Sequence, residues 1–69
     1  MATVIQKLGA KIKKMRKQKG FTQEKLAESA GLDYSYLNLI ESGKKNPSIK
    51  KLAKIARALG VSLKELIPN

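Results

Sequence analysis

Thr22-Gln23-Glu24-Lys25-Leu26-Ala27-Glu28-Ser29-Ala30-Gly31-Leu32-Asp33-Tyr34-Ser35-Tyr36-Leu37-Asn38-Leu39-Ile40-Glu41 is the stretch on which the fold turns. A Thr22 hydroxyl can accept a bond from a free amide of a first helical turn, so a short helix is expected to start at Gln23. That helix has only Leu26, Ala27 and Ala30 to bury, and neighbours rather than intrinsic propensity must stabilise it. Gly31 supplies the positive φ of a tight turn, Leu32 offers an apolar plug, and Asp33 can cap the next helix. The helix from Tyr34 to about Glu41 is then amphipathic, with Leu37 and Ile40 turned to the core.

The flanks keep the helical period. Ile5, Leu8, Ile12 and Met15 recur at steps of three and four, with lysines opposite, which predicts a first helix from about Val4 to Lys19. Thr3 and Gln6 fit a capping box at its start, and Gly20 can end it. Ser42-Gly43-Lys44-Lys45-Asn46-Pro47 reads as loop. Ser48 caps a fourth helix with apolar positions Ile49, Leu52, Ile55, Ala56 and Leu59, stopped by Gly60. Ser62 and Glu65 form a second capping box for a last short helix carrying Leu63, Leu66 and Ile67. Nothing alternates with a strand period, so the expectation is an all-α, compact five-helix domain over residues 1–69. Its predicted core is Leu8, Ile12, Met15, Leu26, Leu32, Leu37, Ile40, Leu52, Ile55 and Leu59.

Composition narrows the function. Sixty-nine residues allow one domain at most, and the absence of both cysteine and histidine removes disulfides and the usual zinc ligands. The same absence removes the commonest general base and the thiol nucleophile, and the five carboxylates are scattered as caps and surface charges, so neither an enzyme nor a bound cofactor or metal is expected. No apolar run can cross a bilayer and no signal peptide is evident, which points to a cytoplasmic protein without a membrane partner. Fifteen Lys and Arg against five Asp and Glu give a net charge of +10, implying a polyanionic partner. The charge is blocked: Lys7 to Lys19 and Lys44 to Arg57 carry no acidic residue, while Glu24, Glu28, Asp33 and Glu41 lie between them. Either block alone would read as a soluble face. Two blocks around one core favour a binding surface.

Two short helices joined by a glycine-containing turn, the second capped and amphipathic, form a helix-turn-helix over about residues 22–41, the device that sets a helix in the major groove of DNA. The chain around it, Phe21-Thr22-Gln23-Glu24-Lys25-Leu26-Ala27, Gly31-Leu32, Leu37-Asn38-Leu39-Ile40-Glu41-Ser42-Gly43-Lys44 and Asn46-Pro47-Ser48, closely resembles the Xre/Cro/phage-repressor family. The resemblance runs from about Leu8 to Leu66 and includes Arg16, Ala56 and Leu59-Gly60-Val61. It implies a lambda-repressor-like fold and a DNA-binding transcription regulator, a repressor at a palindromic operator, with a homodimer as the working unit. Antitoxins with a toxin partner, and controllers of restriction-modification systems, share the pattern, and Leu32-Asp33-Tyr34-Ser35-Tyr36 looks somewhat like the controllers.

Carried over by position, the resemblance sets Tyr34, Ser35, Asn38 and Leu39 against base edges, and the helical arc agrees. Asn38 can bond an adenine or a phosphate, and Ser35 is a permissive donor and acceptor. Leu39 can rest on a thymine methyl, or else is a dimer contact or a lone exposed leucine. Tyr34 stands where amides and arginines are commoner and lacks bidentate geometry. Phosphate contacts are expected from Thr22 and Gln23 at the start of the second helix, from Lys44, Lys45 and Asn46 in the loop, and from the Tyr36 hydroxyl. For each lysine the other reading is a solvated charge. The resemblance further implies that Arg16 pairs with Glu41, the alternative being that both are exposed. Leu63, Leu66 and Ile67 are expected to form an uncovered apolar patch for dimerisation or partner capture.

Overall fold

Five helices follow one another in the structure, a computed structural model that describes residues 2–68: α1 Val4–Gln18, α2 Gln23–Ala30, α3 Tyr34–Glu41, α4 Ile49–Leu59 and α5 Leu63–Leu66. No strand occurs among the described residues. Caps set the starts. Thr3 and Gln6 exchange both bonds of a capping box, Thr22 accepts from the Lys25 amide, and Ser48 accepts from the Lys51 amide. Asp33 departs from expectation: its backbone is extended like an N-cap, but its side chain accepts no bond from the first turn of α3. At Ser62 the Glu65 carboxylate accepts from the backbone N–H at 2.8 Å and the hydroxyl at 3.2 Å, in that order of importance, and is held below the usual carboxylate range.

The ends share one device. After each of α1 to α4 a glycine stands at positive φ and the residue beyond it turns its amide back into the helix, as in Leu32 N–H to Ala27 O at 2.9 Å and Lys44 N–H to Leu39 O at 2.9 Å. At Gly31, φ 68° and ψ 35° place the chain in the left-handed region, which reverses direction within one residue. The turn of the helix-turn-helix depends on this.

α2 and α3 have eight residues each, below the roughly 12–15 that an isolated helix needs in water, so packing must stabilise them. α3 packs against α1 and α2, α2 also against α4, and α5 against α4 and α1. Ile12, Leu26, Leu37, Ile40, Ile55, Leu59 and Leu66 are fully buried where these helices meet, each contributing about 1.5–3 kcal/mol by leaving water. Two apolar expectations need correction. Met15 and Leu32 are only partly buried and pack against the core rather than lying in it. Ile49, the first residue of α4, keeps the helical period but is 67% exposed, in keeping with its absence from the predicted core. Leu66 is in the core with no exposed surface, so it is not part of an uncovered patch.

α1 and α3 meet with almost no space between backbones. A Cβ at Gly9 would overlap the carbonyl oxygen of Ile40 and come within 2.9 Å of that of Glu41, so the residue must be glycine although it lies in mid-helix. Further along α1, Arg16 reaches Glu41 bidentately, Nε to Oε2 at 2.8 Å and Nη2 to Oε1 at 3.1 Å, and also donates from Nη1 to the Phe21 carbonyl at 2.8 Å. Both side chains are buried. Every buried side-chain polar atom among the described residues has a partner.

Two outcomes follow from this contact. Gly9→Ala gains about 1 kcal/mol of helix propensity but must push the two backbones apart, costing about 1–3 kcal/mol or more, so the thermal midpoint falls; a rise would show that the approach is not tight. Arg16→Ala leaves the Glu41 carboxylate buried without its main partner and costs about 3–5 kcal/mol by chemical denaturation, whereas a loss under about 1 kcal/mol would class the pair with exposed ones.

Candidate nucleic-acid interface

With Leu37 and Ile40 in the core, α3 turns Tyr34, Ser35, Asn38 and Leu39 outward, and all four are exposed. They share an arc because the steps between them keep the helical period. Tyr34 is 51% and Leu39 39% exposed, on the side of the helix opposite the buried Leu37 and Ile40. The arc offers two hydroxyls, one amide and one aliphatic group, a set suited to base edges in a major groove.

Around this arc the groups fit for phosphate are placed unevenly. Lys44, Lys45 and Asn46 are exposed in the loop after α3. The Thr22 hydroxyl oxygen is occupied as the α2 cap, which leaves its proton to donate. Gln23 is half-buried, with Nε2 donating to Glu41 Oε1 at 3.0 Å and Oε1 accepting from Asn38 Nδ2 at 3.1 Å, so a single N–H remains for an outside partner. Tyr36 is half-buried, its ring flanked by the Lys51 ammonium at 4.7 Å and the Lys45 ammonium at 5.8 Å.

Lys51 was not singled out by sequence, although a signal was present. Lys50 and Lys51 fall in the first turn of α4, which holds no acidic residue, and cations there oppose the helix dipole by about 0.3–1 kcal/mol each unless an anion is supplied. Elsewhere the basic side chains are similarly unopposed: among the described residues the only ion pairs are Arg16 with Glu41 and the exposed Lys25 with Glu28 at 3.6 Å. Gly9 was also overlooked; a glycine inside a strongly periodic helix is itself a sign of close packing. Of the expected dimer residues, Leu63 is half-buried, Ile67 is 43% exposed and Leu66 is unavailable. Among the described residues no group of three acidic residues is placed to hold a metal ion, and no helix is long and apolar enough to cross a membrane.

Comparison with known proteins agrees with this geometry. The sequence profile of the helix-turn-helix family HTH_3 matches residues 12–66. The control protein C.MunI of a Mycoplasma species is 44% identical over 64 residues, spanning 91% of this chain and 86% of that protein. The transcriptional regulator SinR of Bacillus subtilis is 44% identical over 61 residues, 87% of this chain but 55% of SinR. The crystal structure of the restriction-modification controller C.AhdI from Aeromonas hydrophila superposes with a TM-score of 0.90 at 38% identity, covering 91% of this chain and 96% of the controller. A buried helix-turn-helix scaffold, an exposed polar arc on its second helix and a matched profile over most of the sequence establish that the chain belongs to the helix-turn-helix family HTH_3, whose members are DNA-binding transcription regulators.

Proposed function

We propose that the chain is a sequence-specific repressor of transcription that works in the cytoplasm and binds a palindromic operator as a homodimer, with α3 of each protomer in one major-groove half-site. The observation that carries this reading is the exposed arc Tyr34, Ser35, Asn38 and Leu39, set between the α2 N-terminus and the lysines beyond α3. Ser35 and Asn38 read base edges, Leu39 contacts a thymine methyl, and Tyr34 adds its ring or hydroxyl beside them. Thr22, the free N–H of Gln23, Tyr36, Lys44, Lys45 and Asn46 hold the phosphates, which fixes register without carrying sequence.

Two copies are needed because α3, at about 12 Å, samples one groove segment, and successive segments on one face of the duplex lie about 34 Å apart. Ile67 and Leu63 at α5, rather than Leu66, supply the apolar contact between protomers. A controller of a restriction-modification system is the second reading, favoured by the likeness to C.MunI and C.AhdI over most of their lengths. Burial of Leu66 narrows the surface at α5 for pairing and for capture of a toxin partner alike.

Selection of bound sites from random DNA, followed by affinity measurements at several salt concentrations, tests the reading. Lys44→Ala and Lys45→Ala weaken operator and random DNA alike, each lowering the slope of log K against log salt by about 0.9, with the ranking of sequences kept. Ser35→Ala and Asn38→Ala instead flatten the preference at one symmetric pair of positions, by about 1–3 kcal/mol for a bidentate contact and less for a single bond, with the slope unchanged. Preference untouched by substitutions along all four residues would remove α3 as the reader. For the dimer, Ile67→Glu shifts sedimentation toward the monomer and weakens operator binding; a wild-type monomer that saturates its operator one-to-one would refute pairing.

A further inference from the structure

Asn38, Gln23, Glu41 and Arg16 form one hydrogen-bonded chain that runs from the exposed face of α3 into the core. Its polarity is fixed from the buried end. Arg16 and Gln23 both donate to the Glu41 carboxylate, and a carboxylate only accepts, so the Gln23 atom against it must be the amide nitrogen. The Gln23 carbonyl oxygen is then the atom that meets Asn38 at 3.1 Å, and because a carbonyl also only accepts, Asn38 must turn its own nitrogen inward. What remains free on Asn38 is its carbonyl oxygen and one N–H. An unattached asparagine, by contrast, can present either end of its amide, since the flipped form has the same shape.

We propose that Gln23 is a positioning residue for sequence recognition: by tying Asn38 to the buried Arg16–Glu41 pair, it fixes one acceptor and one donor of the Asn38 amide for the bases. That set matches the N6 amino group and N7 of adenine, which an asparagine engages bidentately, and the tether prevents the amide from flipping to suit a different edge. Gln23 thereby serves recognition through another side chain, in addition to any phosphate contact from its remaining N–H. The proposal rests on Asn38 facing bases, and its test separates the two ideas.

Gln23→Met keeps the length and apolar stem of the side chain and removes both bonds. Sequence preference at the Asn38 base pair is compared in the wild type, Gln23→Met and Asn38→Ala, as the ratio of affinities for adenine and the other bases, so that a uniform loss of affinity from a missing phosphate contact cancels. Asn38→Ala reduces a preference of about tenfold or more to within about twofold, and Gln23→Met reproduces most of that reduction. A preference retained in Gln23→Met but lost in Asn38→Ala overturns the positioning role and leaves α3 as the reader. A preference unchanged by Asn38→Ala overturns the reading of Asn38 itself. A second measurement needs no DNA: nitrogen-15 relaxation of the Asn38 side-chain amide shows restricted motion in the wild type and free motion in Gln23→Met. Equal mobility in the two proteins, or a mobile amide with an order parameter below about 0.6 in the wild type, overturns the tether.

Discussion

The contact between Gly9, Arg16 and the end of α3 is the constraint on which the rest of the protein depends. α3 has to expose one face to a partner and bury the other, and at eight residues it has no stability of its own. Leu37 and Ile40 hold it to the core but, being apolar, fix neither its rotation nor its height closely. The bidentate Arg16–Glu41 pair does both, because two parallel bonds to one carboxylate tolerate little displacement. Burying two charges is costly, and an apolar pair of similar volume would serve stability as well or better. The pair is therefore better understood as a register device, placed where a small error would move every outward side chain of α3 relative to the groove.

The same economy explains how holding and reading are divided. In the proposed reading, phosphate groups are met from the loop after α3, where Lys44 and Lys45 are exposed, and from the capped start of α2, while base edges are met from the one helix that is locked. Long-range attraction from a net charge of +10 favours approach to any duplex, and in the proposed reading the arrangement along α3 then discriminates. The Tyr36 ring, half-buried against the core, gives Lys45 and Lys51 a face to lie on, which restricts those ammonium groups before any anion is met.

Much of this was legible in the sequence because local signals and global fold agree. Thr22, Gly31 and the spacing of Leu26, Ala27, Leu37 and Ile40 specify the helix-turn-helix through bonds between residues close in sequence. What escaped has separate physical causes. Leu66 was misplaced because a helix of four residues is too short to define a face, so its apolar positions fit the core and the surface equally well. Asp33 has the right residue type for a cap, yet side-chain torsion, not composition, decides whether the bond forms. Pairing of Arg16 with Glu41 across 25 positions was reached through family resemblance alone, and the Gln23 bonds to Glu41 and Asn38, across 18 and 15, left no local trace.

Those long-range bonds also bear on how such a domain can change specificity without losing its fold. The buried half of the chain, Arg16 with Glu41, determines where α3 sits, and the exposed half, Gln23 with Asn38, determines which atoms it presents. On the proposed reading, substituting Tyr34, Ser35 or Leu39 alters the message while leaving that geometry intact, since none of the three has a side-chain hydrogen bond to the scaffold among the described residues. Asn38 is different: a replacement there must also donate to the Gln23 carbonyl, which can only accept. If the arc reads bases as proposed, specificity is freer to vary at three of its positions than at the fourth, and the restriction originates in a buried carboxylate.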